Sequence, residues 1–260
     1  MKVVHTVEEC RAAVQAARPA KIGFVPTMGA LHAGHASLIE RSVEDCGFTV
    51  VSVYVNPTQF DNPDDLDKYP LTLDKDVELA ASLGADLVFA PGYREIYPDD
   101  FSYRIEENAI SQVLCGAHRP GHFTGVLTVV MKLLNIVRPD RAYFGEKDYQ
   151  QFRLIKGMVR AFFLDTEIVP CPIVREADGL ALSSRNVNLD CEARGKAPLI
   201  HELIAGPDDD QTVRRRLTEA GFRVDYVESR DGRRFAAVRV GEGSREVRLI
   251  DNVAIAGGNR

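Results

Sequence analysis

Residues 24–35 read FVPTMGALHAGH. The apolar run 22–25 stops at Pro26, and a small-residue turn with Gly29 and Ala30 follows. His32, Ala33, Gly34 and His35 then lead into Ala36, Ser37, Leu38 and Ile39, which read as helix to about residue 45. The stretch is a buried strand, a tight turn, two histidines three apart and a helix start. A strand that delivers two imidazoles to a helix N-terminus suits an anion, and above all a nucleotide phosphate.

Outward from this stretch, strands and helices alternate. Thr6 with Glu9 makes a capping box, and Val7, Cys10 and Val14 continue it at helical spacing. Strands are expected over 49–55, 86–90, 141–144 and 168–174. Helices are expected over 73–83, 124–137 and 149–163. The run 49–55 (TVVSVYV) is β-branched and almost wholly apolar, as in a parallel strand covered on both faces. This alternation predicts an α/β fold, a Rossmann-like parallel sheet with helices on both faces, over 1–174. The pattern then changes. A polar loop over 175–190 precedes a helix to about residue 204, the break GPDDD, a helix over 212–220 and strands over 223–229, 233–240 and 246–250. Asp231-Gly232 and Gly241/Gly243 supply hairpin turns. Residues 175–260 are expected to form a smaller α/β domain with an antiparallel sheet.

The bulk composition agrees. The chain has 260 residues, 45% hydrophobic and 27% charged, enough for a sizeable core. The net charge of −6 comes without a basic block, which disfavours a nucleic-acid partner. Five scattered cysteines without a CxxC disfavour a disulfide framework and a zinc ribbon and fit a reducing compartment. No apolar signal core opens the sequence and no run approaches membrane-spanning length, so a cytoplasmic protein is expected.

Ligands of open parallel sheets sit beyond the C-terminal strand ends. Four polar loops fall there: TMGALHAGH, NPTQF, GEKD and the loop carrying LSSRN. His32 and His35 suit phosphate oxygens, helped by unpaired helix N–H groups. They also read as two surface histidines or, with His118 and His122, as half of a zinc site, though no carboxylate or cysteine accompanies them at metal-motif spacing. In GEKD, Lys147 can neutralise phosphate and Asp148 can meet Mg²⁺, or the turn is solvated surface. In LSSR, two hydroxyls and Arg185 can grip phosphate, or the segment is an ordinary loop. The amides of Asn56 and Gln59 can read a small acid or cap a turn. A Walker loop and GxGxxG are both absent, which disfavours a P-loop NTPase and a hydride-transfer enzyme.

Together the motifs are far more specific. FVPTMGALHAGH (24–35), YVNPTQF (54–60), HRPGHFTGVLTVVMKLLNIVRPD (118–140), YFGEKDYQQ (143–151), DGLALSSRN (178–186) and RLIDN (248–252) stand in an order and spacing that resembles the pantothenate synthetase (pantoate–β-alanine ligase) family. The resemblance is dense over 20–190 and thin over 195–245. It implies a nucleotidyltransferase-type first domain, a second domain that acts as a lid, a cytoplasmic homodimer, and ATP, (R)-pantoate and β-alanine as substrates with Mg²⁺. The implied reaction is a condensation to pantothenate through pantoyl adenylate.

Carried over by position, the resemblance implies that His35, His32 and Lys147 are catalytic. Met28, Gly29, Ala30, Leu31, His32, Ala33, Gly34 and His35 then line the ATP site, with Gly145, Glu146, Lys147, Asp148, Val174, Leu182, Ser183, Ser184 and Arg185. Gln59, Gln151, Asn56 and Tyr69 serve pantoate, and Gln59 also meets β-alanine. Asp148 and Asp76 are the metal candidates. The chain departs from the family in a shorter segment after Cys191 and in Lys75, where an acidic residue is usual. Two other readings compete: a related nucleotidyltransferase acting on another small acid, and a catalytically silent nucleotide sensor.

Overall fold

A computed structural model describes residues 1–241, 243 and 246–255. In chain order the first part holds β1 (Lys2–Val4), α1 (Val7–Ala17), β2 (Ile22–Thr27), α2 (Ala33–Asp45), β3 (Phe48–Val53), α3 (Pro63–Asp67), α4 (Leu73–Ser82), β4 (Leu87–Phe89), α5 (Tyr93–Ile96), α6 (Cys115–His118), α7 (His122–Val137), β5 (Arg141–Gly145), α8 (Tyr149–Ala161) and β6 (Glu167–Cys171). The second part holds α9 (Cys191–Lys196), α10 (Leu199–Ala205), α11 (Asp210–Glu219), β7 (Arg223–Arg230), β8 (Arg233–Val240) and β9 (Val247–Ala254).

The first six strands form one parallel sheet in the order β1-β4-β3-β2-β5-β6. From β2 the chain winds outward through β3 and β4, then returns to the other side of β2 with β5 and β6. The winding direction therefore reverses between β2 and β5, and such a switch point is where an open sheet binds ligands. Strand β2 is buried along nearly its whole length, as a central strand should be. It runs past Pro26 to Thr27, two residues beyond the expected end. Its pairing with β5 stops at Phe24, so no ladder bond on that side needs the N–H that Pro26 lacks. One layer of the core joins Val25, Val51 and Val88 of the sheet to Leu38 and Ile39 of α2 and Ala80 of α4.

Helix α1 begins with the expected capping box: Glu9 N–H donates to Thr6 Oγ1, and Thr6 N–H to Glu9 Oε2, both at 3.2 Å. Helix α7 is apolar almost all round and buried accordingly, ending at Arg138 ahead of Pro139.

The last three strands form a separate antiparallel sheet, β7-β8-β9. Its core packs Ala236 and Val238 of β8 against Leu203 and Ile204 of α10 and Val213 and Leu217 of α11. The helix expected to run to residue 204 is instead two helices. Pro198 separates α9 from α10, because its ring and missing N–H cannot continue α9. Strand β9 runs four residues past its expected end, to Ala254.

The chain divides into two compact units. Unit 1 is 1–146 with 150–171, and unit 2 is 147–149 with residues from 172 onward. The change falls three residues before the expected boundary, and the short piece Lys147–Tyr149 goes with the second unit. Residues 256–260, included in the expected second domain, lie outside the described residues, as do 242, 244 and 245. Among the described residues no helix is long and apolar enough to cross a membrane.

Candidate active site

In unit 1 the loop after β2 is held in an unusual shape. Gly29 has φ +82° and Ala30 φ +50°, so two successive residues sit in the left-handed region, where a β-carbon is unfavourable. A β-carbon on Gly29 would also lie 2.9 Å from Asp76 Oδ2. Asp76, on α4 and only 2% exposed, sustains this shape. Its Oδ2 accepts from Ala30 N–H at 3.0 Å and from Thr72 Oγ1 at 3.1 Å, and its Oδ1 accepts from Leu31 N–H at 2.8 Å. Thr27 completes the turn: its Oγ1 donates to Ser52 O at 2.7 Å and accepts Gly29 N–H at 3.1 Å. The resemblance offers Asp76 as a metal ligand. In the structure its carboxylate faces loop donors on both oxygens, because the strained turn leaves two backbone N–H groups in need of an acceptor.

The loop delivers His32 to the N-cap of α2, where Nδ1 accepts Gly34 N–H at 3.1 Å. That bond puts the proton of a neutral His32 on Nε2. His35 follows in the first helical turn, and the two rings lie 4.2 Å apart between centroids. Met28, Ala30, Leu31, Gly34 and His35 are half-buried, Gly29 is buried and Ala33 exposed. The first turn of α2 thus pairs imidazoles with helix N–H groups.

The next loop, after β3, lies beside it, because Thr27 pairs with Val53 at the ends of the two strands. Asn56 is 1% exposed and uses every polar position. Its Nδ2 donates to Gln59 Oε1 at 3.0 Å and to Gly125 O at 3.3 Å. Its Oδ1 accepts from Tyr97 Oη at 2.9 Å and Thr58 Oγ1 at 3.0 Å. Burial pushes the Tyr97 phenol up to about 12, so it keeps its proton. The resemblance assigns Asn56 to pantoate; in the structure its amide is also a hub that holds the Gln59 side chain. A β-carbon on Gly125 of α7 would lie 2.3 Å from Thr58 O, so this turn seats on α7 only over a glycine. Tyr69 is buried and packs edge-on against Phe60, with centroids 5.7 Å apart.

Sequence reasoning missed two partners of this turn. His122 Nδ1 donates to Gln59 O at 2.7 Å, and Arg119 Nη2 donates to the same oxygen at 3.4 Å. Arg119 also meets Asp61 Oδ1 at 2.8 Å and His122 Nε2 at 3.2 Å. Burial works against the Asp61 charge, but Arg119 outweighs it and holds that carboxyl below the ordinary range. Both His122 nitrogens therefore face protein partners. Among the described residues no group of three or more His, Cys, Asp or Glu is placed to hold a metal ion. The motif HRPGH is the signal that could have found the two partners, although its histidines suggest metal ligands. Gln151 lies half-buried in the first turn of α8. Its neighbour Gln150 is buried and clamps 110–115 through Cys115 N–H, Ile110 O and Val113 O.

In unit 2, Val174 and Leu182 are brought together, Leu182 N–H donating to Val174 O at 3.0 Å across a small hairpin that turns at Gly179. Arg175 fastens this hairpin, donating to Gly179 O and bidentately to Asp251 at 2.7 and 2.9 Å. Ser183 caps the 3₁₀ turn Ser184–Asn188 by accepting Arg185 N–H at 3.3 Å, which fixes the start of the SSR segment. Lys147 is 21% exposed, with Asp148 Oδ2 3.6 Å from its Nζ. In unit 1, Gly145 ends β5 and Glu146 starts the 3₁₀ turn Glu146–Asp148.

The model of the family described as pantoate-beta-alanine ligase matches residues 2–254 of this chain. The chain belongs to the pantoate–β-alanine ligase family. This ligase chain is 54% identical over 234 residues to the pantothenate synthetase of Bdellovibrio bacteriovorus, covering 90% of this chain and 92% of the relative. It is 46% identical over 255 residues to that of Coxiella burnetii, covering 98% and 97%. Among solved structures it superimposes on pantothenate synthetase from Thermus thermophilus with a TM-score of 0.88, at 42% identity and 98% and 99% coverage. It superimposes on a pantoate–β-alanine ligase from Francisella tularensis, complexed with β-γ ATP and β-alanine, with a TM-score of 0.91, at 42% identity and 98% and 97% coverage. The ligase fold thus agrees with the sequence expectation of a Rossmann-like parallel sheet followed by a smaller antiparallel one.

Proposed function

We propose that this chain condenses (R)-pantoate with β-alanine at the expense of ATP. The observation that carries the reading is the family match over residues 2–254 together with the paired histidines at the switch point of the sheet. In the first step a pantoate carboxylate oxygen attacks the α-phosphorus. The bond to the bridging oxygen of the β-phosphate breaks, and pyrophosphate leaves. In the second step the β-alanine amine attacks the acyl carbon, the bond to AMP breaks, and the amine gives up a proton as the amide forms.

Both reactants of the first step are anionic, so much of the catalysis is charge neutralisation and alignment. Lys147 and Arg185 neutralise the triphosphate, with Ser183 and Ser184 as hydroxyl donors. His32 offers Nε2–H to phosphate oxygens, and His35 stabilises charge developing at phosphorus and on the departing AMP. Met28 to Leu31, Ala33 and Gly34 are assigned to the nucleotide, as are Gly145, Glu146, Val174 and Leu182. Gln59, its Oε1 held by Asn56, presents its amide N–H to pantoate; Gln151 and Tyr69 shape the rest of that pocket, and β-alanine enters beside Gln59.

Mg²⁺ characteristically keeps several waters and uses one carboxylate plus substrate phosphates. Asp148, whose side chain is 47% exposed, fits that mode, whereas Asp76 does not. The ion would add positive charge on the triphosphate. We extend the proposal to a cytoplasmic homodimer, a state that sedimentation would test.

The reading is tested by product analysis. With ATP, (R)-pantoate and β-alanine the chain yields pantothenate, AMP and pyrophosphate in equal amounts. A nucleotide left on the acceptor with no AMP release identifies a nucleotidyltransferase instead, and ATP binding without turnover identifies a sensor.

A further inference from the structure

The motif RLIDN at 248–252 has no part in the reaction scheme above. It lies in β9, and its last two residues are buried, Asp251 at 5% and Asn252 at 2% exposed. Neighbours on a strand point to opposite faces. Asp251 faces Arg175 and so anchors the hairpin that leads into LSSR. Asn252 faces the lysine segment, and its Nδ2 donates to the backbone carbonyl of Lys147 at 2.9 Å. Its Oδ1 accepts a close hydrogen bond from Arg233 Nη1, which decides which end of the amide is the donor.

Two residues of β8 add to the hold. The guanidinium carbon of Arg233 lies 4.1 Å above the centroid of the Tyr149 ring, and the Phe235 ring lies 6.0 Å from it. The piece Lys147–Tyr149 is thus fastened to the C-terminal sheet by Asn252, Arg233 and Phe235. This explains why the three residues fold with unit 2 although their neighbours on both sides belong to unit 1.

A lysine head group sits on a flexible four-carbon stem. Its placement at a reacting phosphate depends on where the backbone beneath it is held, and a displacement of about 1 Å can cost roughly 100-fold in rate. We propose that Asn252 is a positioning residue for Lys147, with Arg233 fixing the orientation of the Asn252 amide. The C-terminal sheet then takes part in the reaction through the lysine. The inference rests on the reading of Lys147 as a partner of the triphosphate.

Asn252→Asp tests it. The substitution keeps the shape and the acceptor for Arg233 and replaces the donor with an oxygen that repels the Lys147 carbonyl. Expected are a turnover lower by about 10- to 100-fold, a raised KM for ATP, an unchanged KM for β-alanine and a melting temperature near that of the parent. In a Lys147→Ala background the same change adds less than about two-fold, because the two residues act through one group. Parental turnover in Asn252→Asp, or a full additional loss in the Lys147→Ala background, overturns the inference while leaving the reading of Lys147 intact. Parental turnover in Lys147→Ala itself removes that reading, and the inference with it. Should Asn252→Asp fail to fold, Arg233→Met serves. It releases only the far end of the amide, and a several-fold loss that vanishes in the Lys147→Ala background is expected. A loss that persists there overturns the inference.

Discussion

The carboxylate of Asp76 accepts the N–H of Leu31 at 2.8 Å, although 45 residues separate them. With Ala30 N–H on its other oxygen, Asp76 is the brace of the loop that presents His32 and His35. Asp76→Ala leaves two loop donors without their acceptor. It should cost about 2 kcal/mol or more of stability and raise the KM for ATP, as read by urea unfolding and ATP titration. A change in Mg²⁺ dependence with unaltered stability would return Asp76 to metal binding.

Gly125 allows the 57–59 turn to lie on α7. Gly125→Ala puts a β-carbon 2.3 Å from Thr58 O, to which the backbone must yield. A loss of about 1–3 kcal/mol is expected. The displaced turn carries Gln59, so pantoate KM should rise more than ATP KM. Initial-rate kinetics against each substrate separates the two.

Gln59 and Tyr97 should differ in degree along one chain of contacts. Gln59→Ala removes the amide itself and should weaken pantoate binding by about 10-fold or more. Tyr97→Phe removes only the hydroxyl on Asn56 Oδ1 and should have a smaller effect of the same kind. Because the Tyr97 phenol is pushed up to about 12, its contribution should be constant across about pH 6–9. Calorimetric titration of pantoate into each variant checks the order.

The parallel sheet is legible because its strands are short apolar runs closed by proline or glycine and separated by helices with clear faces. Strand β1 is not, since three residues at Lys2–Val4 carry no periodicity. The break at Pro198 is masked by the helical pattern around it. The residues proposed to meet the substrates stand out through motif density. Their supports do not: Asp76 to Leu31, Tyr97 to Asn56 and Asn252 to Lys147 join positions dozens of residues apart, and local pattern says nothing of such pairs. Arg119 and His122 are visible as HRPGH, but two histidines suggest a metal more readily than a backbone clamp.

His201 gives the second unit a pH dependence. Burial and the neighbouring Arg175 hold its imidazole below the ordinary value of 6.5, against the pull of Asp251. The folded chain therefore binds fewer protons there than the unfolded chain. This contribution to stability is fully present above pH 6.5 and is lost as pH falls from there through the lowered folded value. Unfolding midpoints should decline between about pH 7 and 5, and less steeply in His201→Gln. An identical slope in the variant would clear His201 of the effect.

In the proposed reaction pantoate is adenylated before the amine arrives. Its most direct test is exchange of labelled pyrophosphate into ATP with (R)-pantoate present and β-alanine omitted. Pantoate-dependent exchange is expected, reduced by about 100-fold or more in His35→Ala with unchanged melting. A folded protein that forms pantothenate yet shows no exchange would contradict that order.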